Sequence, residues 1–224
     1  MREIVLDTET TGLDPAAGHR IVEIGCIELM NHIATGKSYH TYINPDRDMP
    51  TAAFEIHGLS GEFLAQHPTF DLIAERFLAF IGDAPLVIHN AEFDMRFLNA
   101  ELGRLGWPML PMTRTVDTVR LARAKYPGAQ ASLDALCRRF GIDNSARSKH
   151  GALLDAELLA EVYLELSGGR QPGLELASAA LAAVEQGRTI AVRAPRPHAA
   201  SAEERAAHTA FIARALKDPI WSQN

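Results

Sequence analysis

The feature that most constrains the fold is a short apolar segment near the start of the chain that ends in two carboxylates. Residues 4–12 read Ile-Val-Leu-Asp-Thr-Glu-Thr-Thr-Gly, which predicts a buried strand and a turn. Because side chains alternate along a strand, Asp7 and Glu9 share one face. Two ionised carboxylates this close repel, so they must share a proton or hold a cation. Oxygen ligands favour Mg²⁺ or Mn²⁺, and the alternative is an edge strand with two ordinary surface acids.

Composition is that of an ordinary globular protein, long enough for one well-buried domain and a smaller segment. The chain has 224 residues, of which 47% are hydrophobic and 22% are charged. No apolar run approaches the roughly 18 residues that span a bilayer, and the first residues enter a strand, so we expect a cytoplasmic protein without membrane contact. Cys26 and Cys137 lie in apolar periodic segments, which predicts reduced core cysteines.

Charge is distributed unevenly along the chain. Residues 1–167 contain 15 Lys and Arg against 23 Asp and Glu, whereas residues 168–224 contain 7 against 5. An acidic body cannot hold a long duplex by neutralising its phosphates. A nucleic-acid substrate would therefore be bound locally, at one end, while another component keeps it close.

The order of predicted elements favours the α/β class. Strands at residues 20–29 and 38–44 follow the first strand closely, with Asn31 and Gly36 between them, which predicts an antiparallel start to the sheet. Further strands at residues 85–89 and near 115–116 alternate with helices, so we expect a mixed sheet covered by helices. The predicted helices lie at residues 51–56, 70–81, 91–105, around 121, 132–140 and 152–166.

A composition break, Gly-Gly-Arg-Gln-Pro-Gly at residues 168–173, ends the predicted α/β domain. The sequence thus predicts three parts, namely a domain at 1–167, a flexible linker at 168–187 and a tail at 188–224. The tail contains a helical run at 201–216. Its larger apolar residues are too few for a core and predict docking on another protein; they are Phe211, Ile212, Leu216 and Trp221.

Two more carboxylates lie at predicted helix starts, and a histidine lies in a loop. Asp94 is in the first turns of the helix after the strand at 85–89, and Asp155 is in the first turn of the helix at 152–166. Each alone is explained by the preference of acids for a helix N-terminus. His150 lies just before Asp155, in a polar loop. Four carboxylates with few cationic partners would make a poor core, so together with the pair on the first strand these residues predict a site for two metal ions.

Three motifs, in this order, resemble those of the DEDDh family of 3′→5′ exonucleases, the ribonuclease-H-like proofreading enzymes. They are Asp7-Thr8-Glu9-Thr10-Thr11-Gly12, His89-Asn90-Ala91-Glu92-Phe93-Asp94 and His150-Gly151-Ala152-Leu153-Leu154-Asp155. Within the family, the sequence is most similar to the proofreading subunits of bacterial replicative polymerases. The resemblance implies a ribonuclease-H-like mixed sheet flanked by helices, followed by a flexible or helical tail.

The resemblance also implies a mechanism. Asp7, Glu9, Asp94 and Asp155 would hold two Mg²⁺ or Mn²⁺ ions, and His150 would take a proton from the attacking water. Hydrolysis would release 5′-monophosphates from a DNA 3′ end during replication. The implied substrate contacts are Asp7, Glu9 and Asp155, with Thr10 at the terminal hydroxyl, Leu13 near the end base, and His57 and Phe93 lining the nucleotide pocket. The alternatives for the last four are a turn threonine, a partly exposed leucine, a loop histidine and a core phenylalanine.

Residues 171–176, Gln-Pro-Gly-Leu-Glu-Leu, resemble the peptides with which bacterial replication proteins bind the sliding clamp. The resemblance implies that Gln171, Leu174 and Leu176 contact the clamp and that the tail binds the polymerase catalytic subunit. Whether a small accessory subunit packs on the domain stays open. Such tethering would raise the effective concentration of the DNA end. Two alternatives have other functions, an RNase T-like or oligoribonuclease-like RNA 3′ exonuclease and a noncatalytic module that bridges polymerase and clamp.

Overall fold

The computed structural model describes residues 1–145, 147, 149–169 and 199–215. The chain divides into two units, Met1–Gly173 and Leu174–Asn224. The predicted linker from residue 170 onward, the clamp-like peptide, Leu216 and Trp221 lie outside the described residues.

A five-stranded mixed sheet forms the centre of the first unit, in the order β3-β2-β1-β4-β5. The strands are β1 (Arg2–Thr10), β2 (Ile21–Met30), β3 (Ile33–Tyr42), β4 (Leu86–Ile88) and β5 (Thr115–Asp117). Strand β2 pairs antiparallel with β1 and with β3, whereas β4 pairs parallel with β1 and with β5. The predicted antiparallel start and the mixed sheet are therefore confirmed.

Helices cover both faces of this sheet. They are α1 (Thr51–His57), α2 (Gly61–Leu64), α3 (Phe70–Ile81), α4 (Ala91–Arg104), α5 (Thr118–Lys125), α6 (Leu133–Phe140) and α7 (Ala152–Leu166). Short 3-10 turns at Pro15–Ala17 and Met112–Arg114 complete the unit. None of the helices within the described ranges is both long and apolar enough to cross a membrane.

The alternation of side chains along β1 divides the core into two layers. Ile4 and Leu6 pack with α3 and α4 on one face, whereas Val5 packs with α6 and α7 on the other. Each fully buried side chain of this size contributes roughly 1.5–3 kcal/mol relative to exposure. Cys26 and Cys137 are both buried and belong to opposite layers. The two-sided burial of β1 explains why its lead-in is continuously apolar.

In the second unit, the described residues form helix α8 (Ala202–Ala215). Ser201 starts it with a reciprocal capping box, because its Oγ accepts from the amide of Glu204 at 3.1 Å and its own amide donates to the Glu204 carboxylate at 2.8 Å. The helix predicted at 201–216 is thus present. Phe211 is exposed on it.

Candidate active site

Strands β1 and β2 supply three acidic side chains on one face of the sheet. Asp7 lies opposite Gly25 in the register of the two strands, and Glu9 lies opposite Glu23. Glu9 and Glu23 are buried, whereas Asp7 is partly exposed. Since opposite residues share a face, Glu23 extends the row begun by the predicted pair. Glu23 was not predicted to belong to the site, although it is the single charged residue in the apolar segment Ile21–Ile27.

Glu23 and Gly25 fix the start of helix α7 against the sheet. The Glu23 carboxylate accepts a hydrogen bond from the amide of Ala152 at 3.1 Å, and its other oxygen lies 2.7 Å from Nε2 of His40. A Cβ at Gly25 would overlap the backbone of Ala152, so only glycine permits this approach. This close contact places Asp155, in the first turn of α7, near the acids of β1.

Asp94 reaches the site from the start of helix α4. Strand β4 ends at Ile88, and Asn90 adopts a left-handed conformation (φ 67°) immediately before the helix. The turn brings Asp94 to a buried position where its Oδ1 accepts a hydrogen bond from Oγ1 of Thr8 at 2.7 Å. Thr8, which had no predicted role, lies between the two acids of β1 and orients Asp94.

His150 lies at the open side of the site, directly before α7. Its imidazole is half-exposed, with Nδ1 3.2 Å from Oδ2 of Asp155. Ligand atoms of Glu9, His150 and Asp155 all lie within 4.8 Å of one another, close enough to share one metal ion. Three of the predicted residues, which come from the strand, the loop and the helix, are therefore brought together.

Arg147 occupies this acidic site, contrary to the expectation that few cations lie near it. Its guanidinium donates to both carboxylate oxygens of Asp155, at 2.5 and 2.6 Å, and to Oδ1 of Asp134 at 2.7 Å. The bases nearest in sequence to the first strand are engaged elsewhere, since Arg2 pairs with Glu28 and Arg20 pairs with Glu101. The sequence feature that could have predicted this contact is the arginine in the polar loop before His150.

The carboxylates of the site repel one another where water is scarce. Burial, followed by the charges of Asp94, Glu9 and Asp155, raises the pKa of Asp7 well above its ordinary value. Burial and the charges of Asp155 and Glu23 raise the pKa of Glu9 to about 8. These effects show that the four predicted acids lie close enough to interact, although they are far apart in sequence.

Two of the acids have neighbours that favour the charged form. Burial raises the pKa of Asp94 to about 7, although the hydrogen bond from Thr8 acts to lower it. Burial also acts to raise the pKa of Asp155, but His150 and Arg147 outweigh it, so this pKa lies below its ordinary value. Asp155 is thus a paired anion. In Asp7, Glu9 and Asp94, by contrast, burial and repulsion favour the protonated form.

The donor set fits divalent metal ions. It consists of carboxylate oxygens with one imidazole, and hard cations such as Mg²⁺ and Mn²⁺ prefer oxygen ligands. A bound dication would stabilise the ionised forms of Asp7, Glu9 and Asp94, which burial and mutual repulsion now oppose.

The four further residues that were predicted to bind substrate have different settings. The hydroxyl of Thr10 donates to the carbonyl of Gly12 at 2.6 Å, as a turn threonine does. Leu13 is 79% exposed. Phe93 is partly buried against Phe97, with 5.0 Å between ring centroids.

His57 is the fourth, and it is buried at the end of α1. Its Nδ1 accepts from the amide of Leu59 at 3.0 Å, while its Nε2 has no hydrogen-bond partner among the described residues. Burial lowers the pKa of His57, which keeps the imidazole neutral. Gln171, Leu174 and Leu176, which were predicted to contact the clamp, lie outside the described residues.

Comparison with known proteins identifies the class. The family described as Exonuclease matches residues 4–163, which is most of the chain. The chain belongs to this exonuclease family.

The particular relatives are named as subunits of a DNA polymerase. The chain is 60% identical over 174 residues to DNA polymerase III subunit epsilon of Rickettsia typhi, which covers 76% of each chain. It is 45% identical over 221 residues to DNA polymerase III subunit epsilon of Salmonella typhimurium, which covers 92% of this chain and 90% of the relative. The prediction of a 3′→5′ proofreading exonuclease close to the epsilon subunit is thereby confirmed.

Solved structures show the same fold. The nuclease domain of 3′hExo, a DEDDh family member bound to rAMP, superposes with a TM-score of 0.64 at 18% identity, covering 76% of this chain and 94% of that one. Exonuclease X, in complex with 5′ overhanging duplex DNA, gives a TM-score of 0.55 at 24% identity, covering 73% and 89%. The predicted ribonuclease-H-like sheet flanked by helices is therefore confirmed.

Proposed function

We propose that this exonuclease removes mismatched nucleotides from DNA 3′ ends as 5′-monophosphates, with Asp7, Glu9, Asp94 and Asp155 holding two Mg²⁺ or Mn²⁺ ions. The observation that carries the proposal is the convergence of Glu9, His150 and Asp155 within 4.8 Å. The ions, when bound, activate water and stabilise the leaving oxygen. The interactions of Asp7 with Glu9, Asp94 and Asp155 support a single shared site.

In this proposal, His150 is the general base. An imidazole is the side chain that most often accepts a proton at neutral pH, and its position in a loop at the open side allows it to reach an attacking water. Oδ2 of the neighbouring Asp155 lies 3.2 Å from its Nδ1. The proton would pass from the water to His150, while the four acids that hold the ions stay ionised.

The terminal nucleotide would occupy a pocket beside these acids. The buried Nε2 of His57 is unpartnered among the described residues, so a polar atom of the nucleotide can satisfy it. Leu13 presents an exposed apolar side chain that can lie beside the end base, and Phe93 can pack on the same nucleotide. Thr10 would turn its hydroxyl from the Gly12 carbonyl to the terminal 3′-hydroxyl.

The relatives support a role within a polymerase assembly, since they are named as subunits of DNA polymerase III. In our proposal the tail at 188–224 binds the polymerase III catalytic (alpha) subunit, and the peptide containing Gln171, Leu174 and Leu176 binds the sliding clamp. The similarity to the Salmonella protein extends over 92% of this chain, beyond the exonuclease domain at 1–167. The partners would hold the duplex that an acidic domain cannot, and a small accessory subunit and a cytoplasmic location belong to the same proposal.

A nucleotide-release assay tests the activity. The full chain with Mg²⁺ or Mn²⁺ should release 5′-monophosphates from a mismatched DNA primer faster than from a short RNA of the same length. The reverse preference would favour an RNA exonuclease of the RNase T or oligoribonuclease type. An absence of release would favour a noncatalytic bridging module.

The His150→Ala variant separates the base from the metal ligands. Turnover should fall by roughly 100-fold or more, as expected for the loss of a general base. Mn²⁺ affinity, measured by calorimetry, should change much less, because four carboxylates remain. An equal loss of turnover and affinity would contradict the assignment of His150 as the base.

A further inference from the structure

Arg147 makes contacts that no step of the proposed hydrolysis uses. Its side chain is 8% exposed and its guanidinium bridges Asp155 on α7 and Asp134 on α6. Nη2 also lies 2.7 Å from Nδ1 of His150. One cation thus contacts a proposed metal ligand and the proposed base together.

The chemistry of a guanidinium decides what these contacts do. It has five N–H donors and no acceptor, so Nδ1 of His150 must be the acceptor in their contact. The parallel bonds to both oxygens of Asp155 form a planar fork, which is among the strongest side-chain pairings. Arg147 therefore engages both oxygens of one proposed ligand and a lone pair of the proposed base.

The charge of Arg147 also acts on the rest of the site. The guanidinium is close enough to Asp7 and Glu9 for its positive charge to attract both carboxylates. The Arg147 side chain is 8% exposed, so solvent screens its charge less than that of a surface arginine. Arg147 thus partly neutralises the group of acids that metal ions would neutralise fully.

Asp134 offers Arg147 a partner that lies outside the acid group. Its side chain is 44% exposed, and its Oδ1 also accepts from Nδ2 of Asn144 at 3.0 Å. Asp134 is not among the residues whose ligand atoms converge on His150. If the Arg147 guanidinium leaves Asp155, it can therefore keep its ion pair with Asp134.

We propose that Arg147 is a latch of the metal-free site, which metal ions must release from Asp155 and His150 while it stays paired with Asp134. This inference rests on the proposed metal centre. The movement of Arg147 couples metal binding to activation, because it frees both the oxygens of Asp155 and the nitrogen of His150 that accepts the proton. Without the latch, Asp155 would be a buried and uncompensated anion in the metal-free protein.

The latch lowers metal affinity, since each binding event must break the fork. The Arg147→Gln variant of the full chain should bind Mn²⁺ roughly tenfold more tightly by calorimetry. It should also melt at a lower temperature in EDTA and gain more from added Mn²⁺ than the native chain. Arg147→Lys keeps the charge but loses the planar fork, so its affinity should be intermediate, and it serves if the glutamine variant does not fold.

A matched control is Arg138→Gln, which removes an exposed arginine of α6 and should leave Mn²⁺ affinity unchanged. Asp134→Asn should weaken Mn²⁺ binding, because the released guanidinium then lacks its partner. Native-like or weaker Mn²⁺ affinity in both Arg147 variants would overturn the latch alone. A native chain that binds no Mn²⁺ would overturn the metal centre and the latch with it.

Discussion

At the scale of single residues, Glu9 and Asp94 retain protons at pH values where exposed carboxyls have lost them. Burial and neighbouring carboxylates raise the pKa of Glu9 to about 8, and burial raises that of Asp94 to about 7. The folded protein then binds more protons than the unfolded chain between the ordinary pKa values near 4 and these raised values. The stability of the metal-free protein must therefore fall as pH rises through this window.

The measurement is urea unfolding in EDTA between pH 5.5 and 8.5. The free energy of unfolding should decrease by an amount on the order of a few kcal/mol across this range. Mg²⁺ or Mn²⁺ should diminish the decrease, because a bound cation stabilises the ionised carboxylates. Stability that is constant or increasing with pH in EDTA would contradict the repulsion among these groups.

The Asp7→Asn variant separates stability from activity. An amide cannot replace a carboxylate ligand, so release of 5′-monophosphates should fall by roughly 100-fold or more. The melting temperature in EDTA should be unchanged or higher, since burial and three neighbouring acids already disfavour the charge. Asp83→Asn, at an exposed acid between α3 and β4, is the control and should change neither. Native hydrolysis by Asp7→Asn would refute its role as a ligand.

The sequence indicated the four acids of the site but not Arg147, the cation that pairs with Asp155. Asp7, Glu9, Asp94 and Asp155 lie on strands or helix starts, whose periodicity specifies the direction of a side chain. Arg147 lies in a loop, where no periodicity does so, and its pairing with Asp155 depends on how that loop folds back. The same reason hid the hydrogen bond from Thr8 to Asp94, which joins two elements that the sequence separates.

At the scale of elements, the contact between β2 and α7 sets the position of Asp155. In Gly25→Ala, the added Cβ would overlap the backbone of Ala152, which is not a flexible group that can move aside. We expect a destabilisation of about 1–3 kcal/mol in urea unfolding, as for other overpacked sites. The added Cβ would also displace α7 and move Asp155 away from Glu9. Nuclease activity should therefore fall by more than the loss of folded protein explains.

Gly103→Ala is the matched control for this substitution. A Cβ at Gly103, in the last turn of α4, meets no atom within 4 Å. Alanine should raise helix stability there by up to about 1 kcal/mol and leave nucleotide release unchanged. Equal behaviour of the two variants would contradict the packing role of Gly25.

Most elements were predictable, and the exceptions have local causes. Strand β3 begins at Ile33, five residues before its predicted start at Ser38. The turn is made by Asn31 and His32, both with positive φ, and histidine is a weak turn signal. Gly36 lies within β3 beside a register shift. Helix α2 was missed because four residues after a serine cap show no helical periodicity.

At the scale of the whole molecule, the exonuclease domain and the tail should be separable. A chain ending at Ser167 keeps all of α7, whose last carbonyls accept hydrogen bonds from Lys125. It should release nucleotides from short single-stranded DNA at a rate within about twofold of the full chain. It should no longer co-purify with the polymerase catalytic subunit, because the tail is the proposed tether.

The control for this truncation is the full chain with Leu174→Ser and Leu176→Ser, which should lose clamp binding and keep polymerase binding. Unchanged association of the truncated chain with the polymerase would discredit the tether. Loss of hydrolysis on short strands would instead show that the domain extends beyond residue 167.

The sheet joins acids from opposite ends of the exonuclease domain, with Asp7 on the first strand and Asp155 about 150 residues later. During synthesis the N-terminal strands leave the ribosome long before α7 can pack against Gly25. On the proposed assignment of the four acids, a growing polypeptide without α7 lacks Asp155 and should not hydrolyse DNA. If Asp155 has the proposed role, hydrolytic activity should begin only when translation has supplied α7, the helix that carries it.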